Sequence, residues 1–296
     1  MGKSQIDISD KTKELLSDYK NRIKLDDFVT EQLKKFIDLT SLEKFPVQGS
    51  NELKDDFLGR LQEYEQIAKD LQQIVILLAR WGEGEQLDIL EKIFSRIGEA
   101  DKGSAGKTLL IYFGWYPVLL FMYSAGIAAL SAKNYKALKV ILTTIIKPSS
   151  TERERVSIII PTITNISDIH DAFKWIPGRE KDHVPRSEHL LEVLVNPIQK
   201  LLFIGEDYER LFDDFEVYLC LVFADLADKE WGPAGRFGWK IDRDTKGDNP
   251  FNRIIEEIGE KKEKSPAFRV GMFKCSPEKL LEVSKILRQR FDNFTW

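Results

Sequence analysis

The sequence predicts an all-α protein, either an irregular multi-helix bundle or an array of short α-hairpins, with at most a small β-hairpin near the C-terminus. Three observations predict this fold class: apolar residues recur at helical spacing, capping residues and prolines stand at the ends of these segments, and β-branched runs are short. Hydrophobic residues make up 43% of the chain and charged residues 31%. This composition is typical of a folded globular protein and excludes global disorder.

Apolar spacing predicts the helices of the first third of the chain. A first amphipathic helix carries apolar residues over positions 28–37. A longer helix is predicted from Asn51, a good N-cap, to Arg80, before Gly82. Positions 74–79 of this helix are apolar on all faces, which predicts deeper burial. Steps of three and four residues place one stripe on a single face of the helix: Leu53, Phe57, Leu61, Tyr64, Ala68, Leu71, Val75 and Leu78.

The segment 108–132 contains no charged side chain and is long enough to cross a bilayer as a helix. Pro117 lacks a backbone donor and disfavours helical geometry at Tyr116, so the regular helix is predicted to begin there and to span about 16 residues. A helix that is apolar on every face is also typical of the centre of a bundle. We therefore expect a buried central helix over residues 116–131 and no membrane span.

The segments that flank this helix indicate helical hairpins. Residues 87–97 form an amphipathic helix before Gly98, and the helix that begins at Tyr135 is ended by Pro148. Gly126, with Asn134 and Tyr135, resembles one tetratricopeptide helix pair, in which a small residue lies where two helices approach. No second copy stands in register in the sequence, which favours an ordinary αα-hairpin.

Composition shifts predict the domain organisation. Residues 1–170 form an N-terminal helical subdomain and residues 187–296 a C-terminal one. The connection 171–186 is rich in proline, glycine and charge, as exposed connections are. We expect the two subdomains to pack as one unit.

The second half of the chain has two clear helix patterns. Residues 208–226 carry apolar residues on one face, with Asp213, Asp214 and Glu216 assigned to the polar side. Ser276-Pro277-Glu278 supplies the cap, the first position and the acidic second position of the last helix. Short strands are predicted at most at three places: residues 156–160, 236–241 and 268–273.

Charge and cysteine content limit the classes of partner. The net charge is −4, from 44 basic and 48 acidic residues, so no overall positive field attracts nucleic acid or an anionic membrane. Cys220 and Cys275 are too few for a disulfide framework and match no zinc-ligand spacing. The sequence therefore predicts a cytoplasmic protein without a nucleic acid partner, a metal or a cofactor.

One motif indicates a different function. The run Gly103-Ser104-Ala105-Gly106-Lys107-Thr108 ends like a phosphate-binding P-loop, in which backbone amides and the lysine bind phosphates. Asp101 stands where the motif has its first glycine, and the preceding segment is predicted to be helical where the motif follows a strand. Nucleotide binding at the Lys107 loop therefore stays an alternative.

The three histidines of the chain, His170, His183 and His189, fall within twenty residues of one another. Histidines that lie close to carboxylates can hold a metal or act as a general base, and Asp171, Asp182 and Glu188 are their neighbours in sequence. The spacing matches no ligand motif, which favours exposed histidines in a charged connection. A metal-dependent enzyme that uses residues 170–189 is the second form of the alternative.

The run from Trp231 to Lys240 differs in composition from its surroundings. It contains three aromatic residues and an arginine among glycines at positions 232, 235 and 238. Glycine permits backbone shapes that can hold large rings partly outward, and aromatic residues and arginine are enriched at binding hot spots. We expect Arg236, Phe237 and Trp239 to form part of a partner-binding surface and Trp231 to anchor the loop to the core.

Several segments together resemble a known kind of region: Trp81-Gly-Glu-Gly, Tyr116-Pro-Val-Leu-Leu with residues 125–130, Asp214-Phe-Glu-Val-Tyr-Leu with residues 224–226, and residues 231–239. They are similar to the helical C-terminal regions of large bacterial proteins that carry an enzymatic domain, Schlafen/AlbA-like ATP-binding or SIR2-like, ahead of this region. Those proteins are suspected to act in antiphage defence. The resemblance transfers no catalytic residue, and we expect this chain of 296 residues to lack that enzymatic domain.

The sequence thus predicts a non-enzymatic helical module that scaffolds, senses or recruits, with a protein partner that supplies the chemistry. The alternative is a nucleotide- or metal-dependent enzyme that uses the Lys107 loop or the region from His170 to His189.

Overall fold

The structure is a computed structural model, which describes residues 7–50, 52–148, 154–242 and 249–293. It confirms the all-α fold class. The α-helices of the described residues are α1 (Ile8–Leu16), α2 (Arg22–Leu39), α3 (Leu53–Trp81), α4 (Glu85–Glu99), α5 (Thr108–Phe113), α6 (Tyr116–Ser131), α7 (Tyr135–Thr143), α8 (Ile159–Asp168), α9 (Pro185–Leu202), α10 (Asp207–Leu226), α11 (Phe237–Asp242), α12 (Pro250–Lys261), α13 (Pro266–Arg269) and α14 (Pro277–Asp292).

Helix α6 is the centre of the fold, and every residue from Tyr116 to Leu130 is buried. It packs most extensively against α3 and also against α7, α10 and α9. Residues Thr108–Ser131 are long and apolar enough to cross a membrane, but 94% of their most apolar window is buried inside the protein. The apolar surface of this segment is thus covered by the neighbouring helices.

Helix α3 follows the predicted stripe, and its residues 74–79 are fully buried, as their continuous apolar run predicts. An aromatic cluster joins its first half to the connection. The ring of Phe57 lies 4.3 Å from that of Phe113 and 5.3 Å from that of Phe173, between ring centroids. Phe173 belongs to a 3₁₀ helix, His170–Trp175, so part of the connection that the sequence predicts to be exposed is buried in the core.

The strands described in the structure are β1 (Ile145–Ile146) and β2 (Val156–Ser157), which pair antiparallel with Ile145 opposite Ser157. β2 falls within the predicted range 156–160, but the hairpin lies in the middle of the chain and not near the C-terminus as expected. Residues 236–241 lie largely in α11, and α13, which begins at Pro266, extends into the start of the other predicted region, 268–273. A proline at the first helical position favours a helix because its fixed φ suits the first turn.

The hairpin of α6 and α7 forms as predicted, and Asn134 in its turn bonds the end of α3. Its side chain accepts from the amide of Ala137 and donates to the carbonyls of Ala79 and Gly82. Gly126 lies where α6 meets α10 and not where it meets α7. An added Cβ would lie 2.0 Å from Cε2 of Phe215 on α10. The small residue thus allows α10 to cross α6 closely.

Candidate functional site

The three predicted binding residues lie at very different depths. Arg236 is 8% exposed, Phe237 is fully buried, and Trp239 is half-buried. Phe237 stacks with Phe251 and contacts Phe291 edge-to-face, at centroid distances of 6.2 and 5.4 Å. Unlike the outward rings expected from the sequence, Phe237 therefore faces the core, because residues 237–242 form a helix that turns this side chain inward. Partner binding by these residues stays a prediction.

Gly232 and Gly235 allow the loop to pack closely against α10, and neither is required by an unusual backbone angle. A Cβ on Gly232 would lie 2.5 Å from Sγ of Cys220, and one on Gly235 would lie 2.1 Å from Oε2 of Glu216. Neither glycine has a φ in the left-handed region. Trp231 contacts Phe223 edge-to-face at 5.3 Å, where it connects the loop to the core. The loop is thus pressed against α10.

Arg236 joins three carboxylates on two helices. Its guanidinium lies 3.1 Å from Glu188, 2.8 Å from Glu209 and 4.0 Å from Asp213. Lys240 also pairs with Asp213. Burial raises the pKa of Asp213, and the hydrogen bond and charge of Lys240, followed by the charge of Arg236, oppose this rise. Arg236 therefore compensates buried negative charge in addition to fixing the loop.

A second buried carboxyl group lies beneath the loop. Oε1 of Glu216 accepts from Tyr123 at 2.9 Å and from Ser187 at 2.6 Å. Burial raises the pKa of Glu216 to about 7. Four buried polar atoms in this region have no hydrogen-bond partner among the described residues: Glu216 Oε2, Asp213 Oδ1, Arg186 Nε and Arg236 Nη1.

Glu216 predicts a measurable pH dependence of stability. The ordinary pKa of this group is 4.5, so between pH 4.5 and 7 the folded protein keeps a proton that the unfolded chain releases. The free energy of unfolding should therefore fall as pH rises through this window, by on the order of 2 to 3 kcal/mol. Urea denaturation at pH 5 and pH 7.5 should show this fall in the wild type and a smaller one in Glu216→Gln, since the amide does not titrate. Equal pH dependence in the two proteins would show that Glu216 titrates normally.

Above the buried ion pairs lies a cleft of about 370 Å³, called here the Trp239 cleft. It joins the histidine-containing connection with the aromatic loop, two regions that the sequence analysis treats separately. Arg179 is fixed in this cleft by ion pairs with Asp182 and Glu192. The residues that line the cleft are Arg179, Lys181, Asp182, His183, Val184, Glu188 and Trp239.

The side chains of the three histidines do not form one cluster, although His170 bonds the backbone of His183. His183 is exposed in the Trp239 cleft, and His170 is half-buried, with its pKa lowered by burial. His189 instead faces α3, where its Nε2 lies 2.7 Å from Oε1 of Glu65. Within residues 7–50, 52–148, 154–242 and 249–293, no group of three or more histidine, cysteine or acidic side chains is arranged to hold a metal ion.

The Lys107 loop makes bonds within the protein. The amine of Lys107 donates to the carbonyl of Ser50, and its backbone amide donates to the carbonyl of Val47 at 2.8 Å. The carboxylate of Asp101 accepts from the amide of Gly103 at 2.9 Å, as a phosphate would from a P-loop amide. The helix that follows, α5, has only six residues. The lysine amine and two backbone amides of the motif are thus engaged within the protein.

No protein-family model, curated protein or solved structure matches this chain. The geometry of the clefts and buried charges is consequently the basis for assigning a function.

Proposed function

We propose that this chain is a non-enzymatic helical interaction module that binds a partner protein at the Trp239 cleft. The observation that supports this most is the half-buried ring of Trp239 at a cleft beside charged side chains that are already held by ion pairs. Tryptophan and arginine are frequent hot-spot residues, and a surface that is ordered before binding loses less entropy on association.

The buried layer beneath the cleft supports the same proposal. Arg236 bonds Glu188, which lines the cleft, and its backbone amide donates to Ser187 at 3.1 Å. These bonds fix the start of α9 relative to the segment that carries Trp239. Arg236 and Phe237 therefore contribute to binding indirectly, by positioning Trp239, while Trp239 itself contacts the partner.

The state of the other candidate groups favours binding over catalysis. The amine of Lys107 is bonded to Ser50, and His183 lines the Trp239 cleft, whereas His189 pairs with Glu65 on α3. The resemblance to C-terminal regions of bacterial defence proteins extends the proposal: the partner supplies the enzymatic activity, and the complex acts in the bacterial cytoplasm against phage.

A comparison of two tryptophan variants tests the proposal. Trp239→Ala should fold normally and lose the partner in affinity purification from the native host, by at least tenfold in recovered protein. Trp81→Ala is the matched control, since Trp81 is 48% exposed on α3 and lies outside the cleft. A partner that is recovered equally with Trp239→Ala would contradict the proposed site.

The nucleotide-dependent alternative gives a different result. It requires that ATP with Mg²⁺ raise the Tm and that Lys107→Ala abolish this rise, since a ligand at a hundredfold excess over its Kd adds about 2.7 kcal/mol to stability. We expect no such rise in either protein.

A further inference from the structure

A second cleft, of about 450 Å³, lies between α3 and α9 and is called here the α3–α9 cleft. Arg179 lies between the two clefts. It lines the Trp239 cleft and pairs with Glu192, which lines the α3–α9 cleft. Both clefts therefore run along the same helix. Helix α9 has 18 residues and a length of about 27 Å, which an extended segment of about eight residues spans.

Glu65 is the fixed anion of this second cleft. Its Oε1 accepts from the hydroxyl of Tyr116 at 2.7 Å and pairs with Nε2 of His189 at 2.7 Å. Tyr116 is fully buried on α6, and His189 lies on α9, so two helices hold the carboxylate in one orientation. Among the described residues, no hydrogen bond reaches its second oxygen, Oε2. The side chain of Glu65 is 20% exposed and lines the cleft.

Other acceptors lie in the same cleft. Gln72 is buried and uses its amide nitrogen to donate to Ser124 at 2.8 Å, which leaves its oxygen as an acceptor. Pro197 lies inside α9 and has no N–H, so it cannot donate to the carbonyl of Val193 four residues earlier. Val193 and Pro197 both line the cleft. These three acceptors, on Glu65, Gln72 and Val193, favour a ligand that donates hydrogen bonds.

The remaining walls suit an alkyl chain. Leu120, Val193, Pro197 and Leu201 line the cleft beside these acceptors. A lysine or arginine side chain combines such a chain with a cationic head that donates several hydrogen bonds, and it commonly packs its methylenes on apolar surface.

We infer that the α3–α9 cleft receives a basic side chain, lysine or arginine, from the partner that binds at the Trp239 cleft, and that its cationic head binds Glu65. This inference rests on the proposed function and names the partner's chemistry: an aromatic contact at Trp239 and a basic residue farther along the same segment. Lys69 and Lys200, both exposed, line the cleft as well. Their charges oppose an incoming cation, but both side chains are exposed to water, which screens this repulsion.

The affinities of n-butylguanidinium and n-butylammonium, compared with that of uncharged n-butylurea, test directly whether the α3–α9 cleft binds a cationic head on an alkyl chain. Titration of the full chain followed by NMR should give a Kd at least tenfold lower for the cations than for the urea. Glu65→Gln, which keeps an acceptor for Tyr116, should raise the Kd of the cations at least tenfold. Glu63→Gln is the matched control, because Glu63 is an exposed acid of the same helix and does not line the cleft.

A second variant keeps the test decisive should Glu65→Gln unfold. Lys69→Gln should lower the Kd of n-butylguanidinium about twofold to threefold, since a nearby exposed charge contributes a few tenths of a kcal/mol. Equal binding of urea and cations, or an unchanged Kd in folded Glu65→Gln, would overturn the inference. If the partner is lost with Trp239→Ala but retained with Glu65→Gln, this inference fails and the proposed function stands. If Trp239→Ala retains the partner, the proposed function fails as well.

Discussion

Replacing Arg236 with methionine is expected to lower the free energy of unfolding by about 3 to 5 kcal/mol at neutral pH. The change removes a guanidinium that lies among Glu188, Glu209 and Asp213, and the side chain of Asp213 is only 2% exposed. Asp213 keeps Lys240 as a partner but loses a second cation, so the buried carboxyl group must take up a proton or draw in water, and both cost free energy. Urea denaturation monitored by circular dichroism measures the effect.

The control for this variant is Arg288→Met, because Arg288 is exposed on α14. It should change stability by no more than about 0.5 kcal/mol. An effect of Arg236→Met as small as that of the control would mean that Arg236 does not hold the buried carboxylates, and its guanidinium would then be available to a partner, as the sequence alone predicts.

Replacing Gly126 with alanine should lower the free energy of unfolding by about 2 kcal/mol. Alanine favours a helix over glycine by about 1 kcal/mol, but its Cβ would lie 2.0 Å from the fully buried ring of Phe215. The ring has no flexible end that can move aside, so α6 and α10 must separate. Overpacking of this kind costs about 1 to 3 kcal/mol, and occasionally more.

Gly59→Ala is the matched control for the glycine substitution. Gly59 lies within α3, and an added Cβ would meet nothing within 4 Å. This variant should therefore gain about 0.5 to 1 kcal/mol from helix propensity. A Gly126→Ala protein as stable as Gly59→Ala would contradict the close crossing of α6 and α10.

Much of the fold could be predicted because its signals are local. The boundaries of α6 follow from Pro117 at one end and the return of charge at the other, and the structure places this helix at Tyr116–Ser131. The stripe of α3 and the cap at Ser276 are likewise local patterns. β2 lies within the predicted range 156–160, but its pairing with β1 could not be predicted, because a two-residue pairing depends on contacts with α4 and α8 that no local pattern encodes.

The acids of α10 show where the sequence reasoning missed buried charges of the candidate site. Asp213, Asp214 and Glu216 are assigned to a polar face, yet all three are buried in the structure. A signal was present: apolar residues occupy every face of the middle of α10, which indicates burial all round. Their partners, among them Arg236 and Arg253, are distant in sequence, so the ion pairs could not be assigned from spacing.

The candidate clefts depend on the same long-range packing. His183 and Trp239 line one cleft although 56 positions separate them in the chain. Glu65 and His189 meet across a still greater separation, 124 positions. Composition identified Trp239 as a binding residue type, but only the packing of α9 and α10 shows which of the loop's side chains reaches the surface.

The most direct test of the interaction role is the Kd of the purified partner for the wild type, Trp239→Ala and Trp81→Ala, measured by calorimetry on proteins with equal Tm. We predict that Trp239→Ala raises the Kd about thirtyfold, equivalent to about 2 kcal/mol, and that Trp81→Ala changes it less than twofold. A Kd for Trp239→Ala equal to that of the wild type would contradict the assignment of the Trp239 cleft as the partner-binding site.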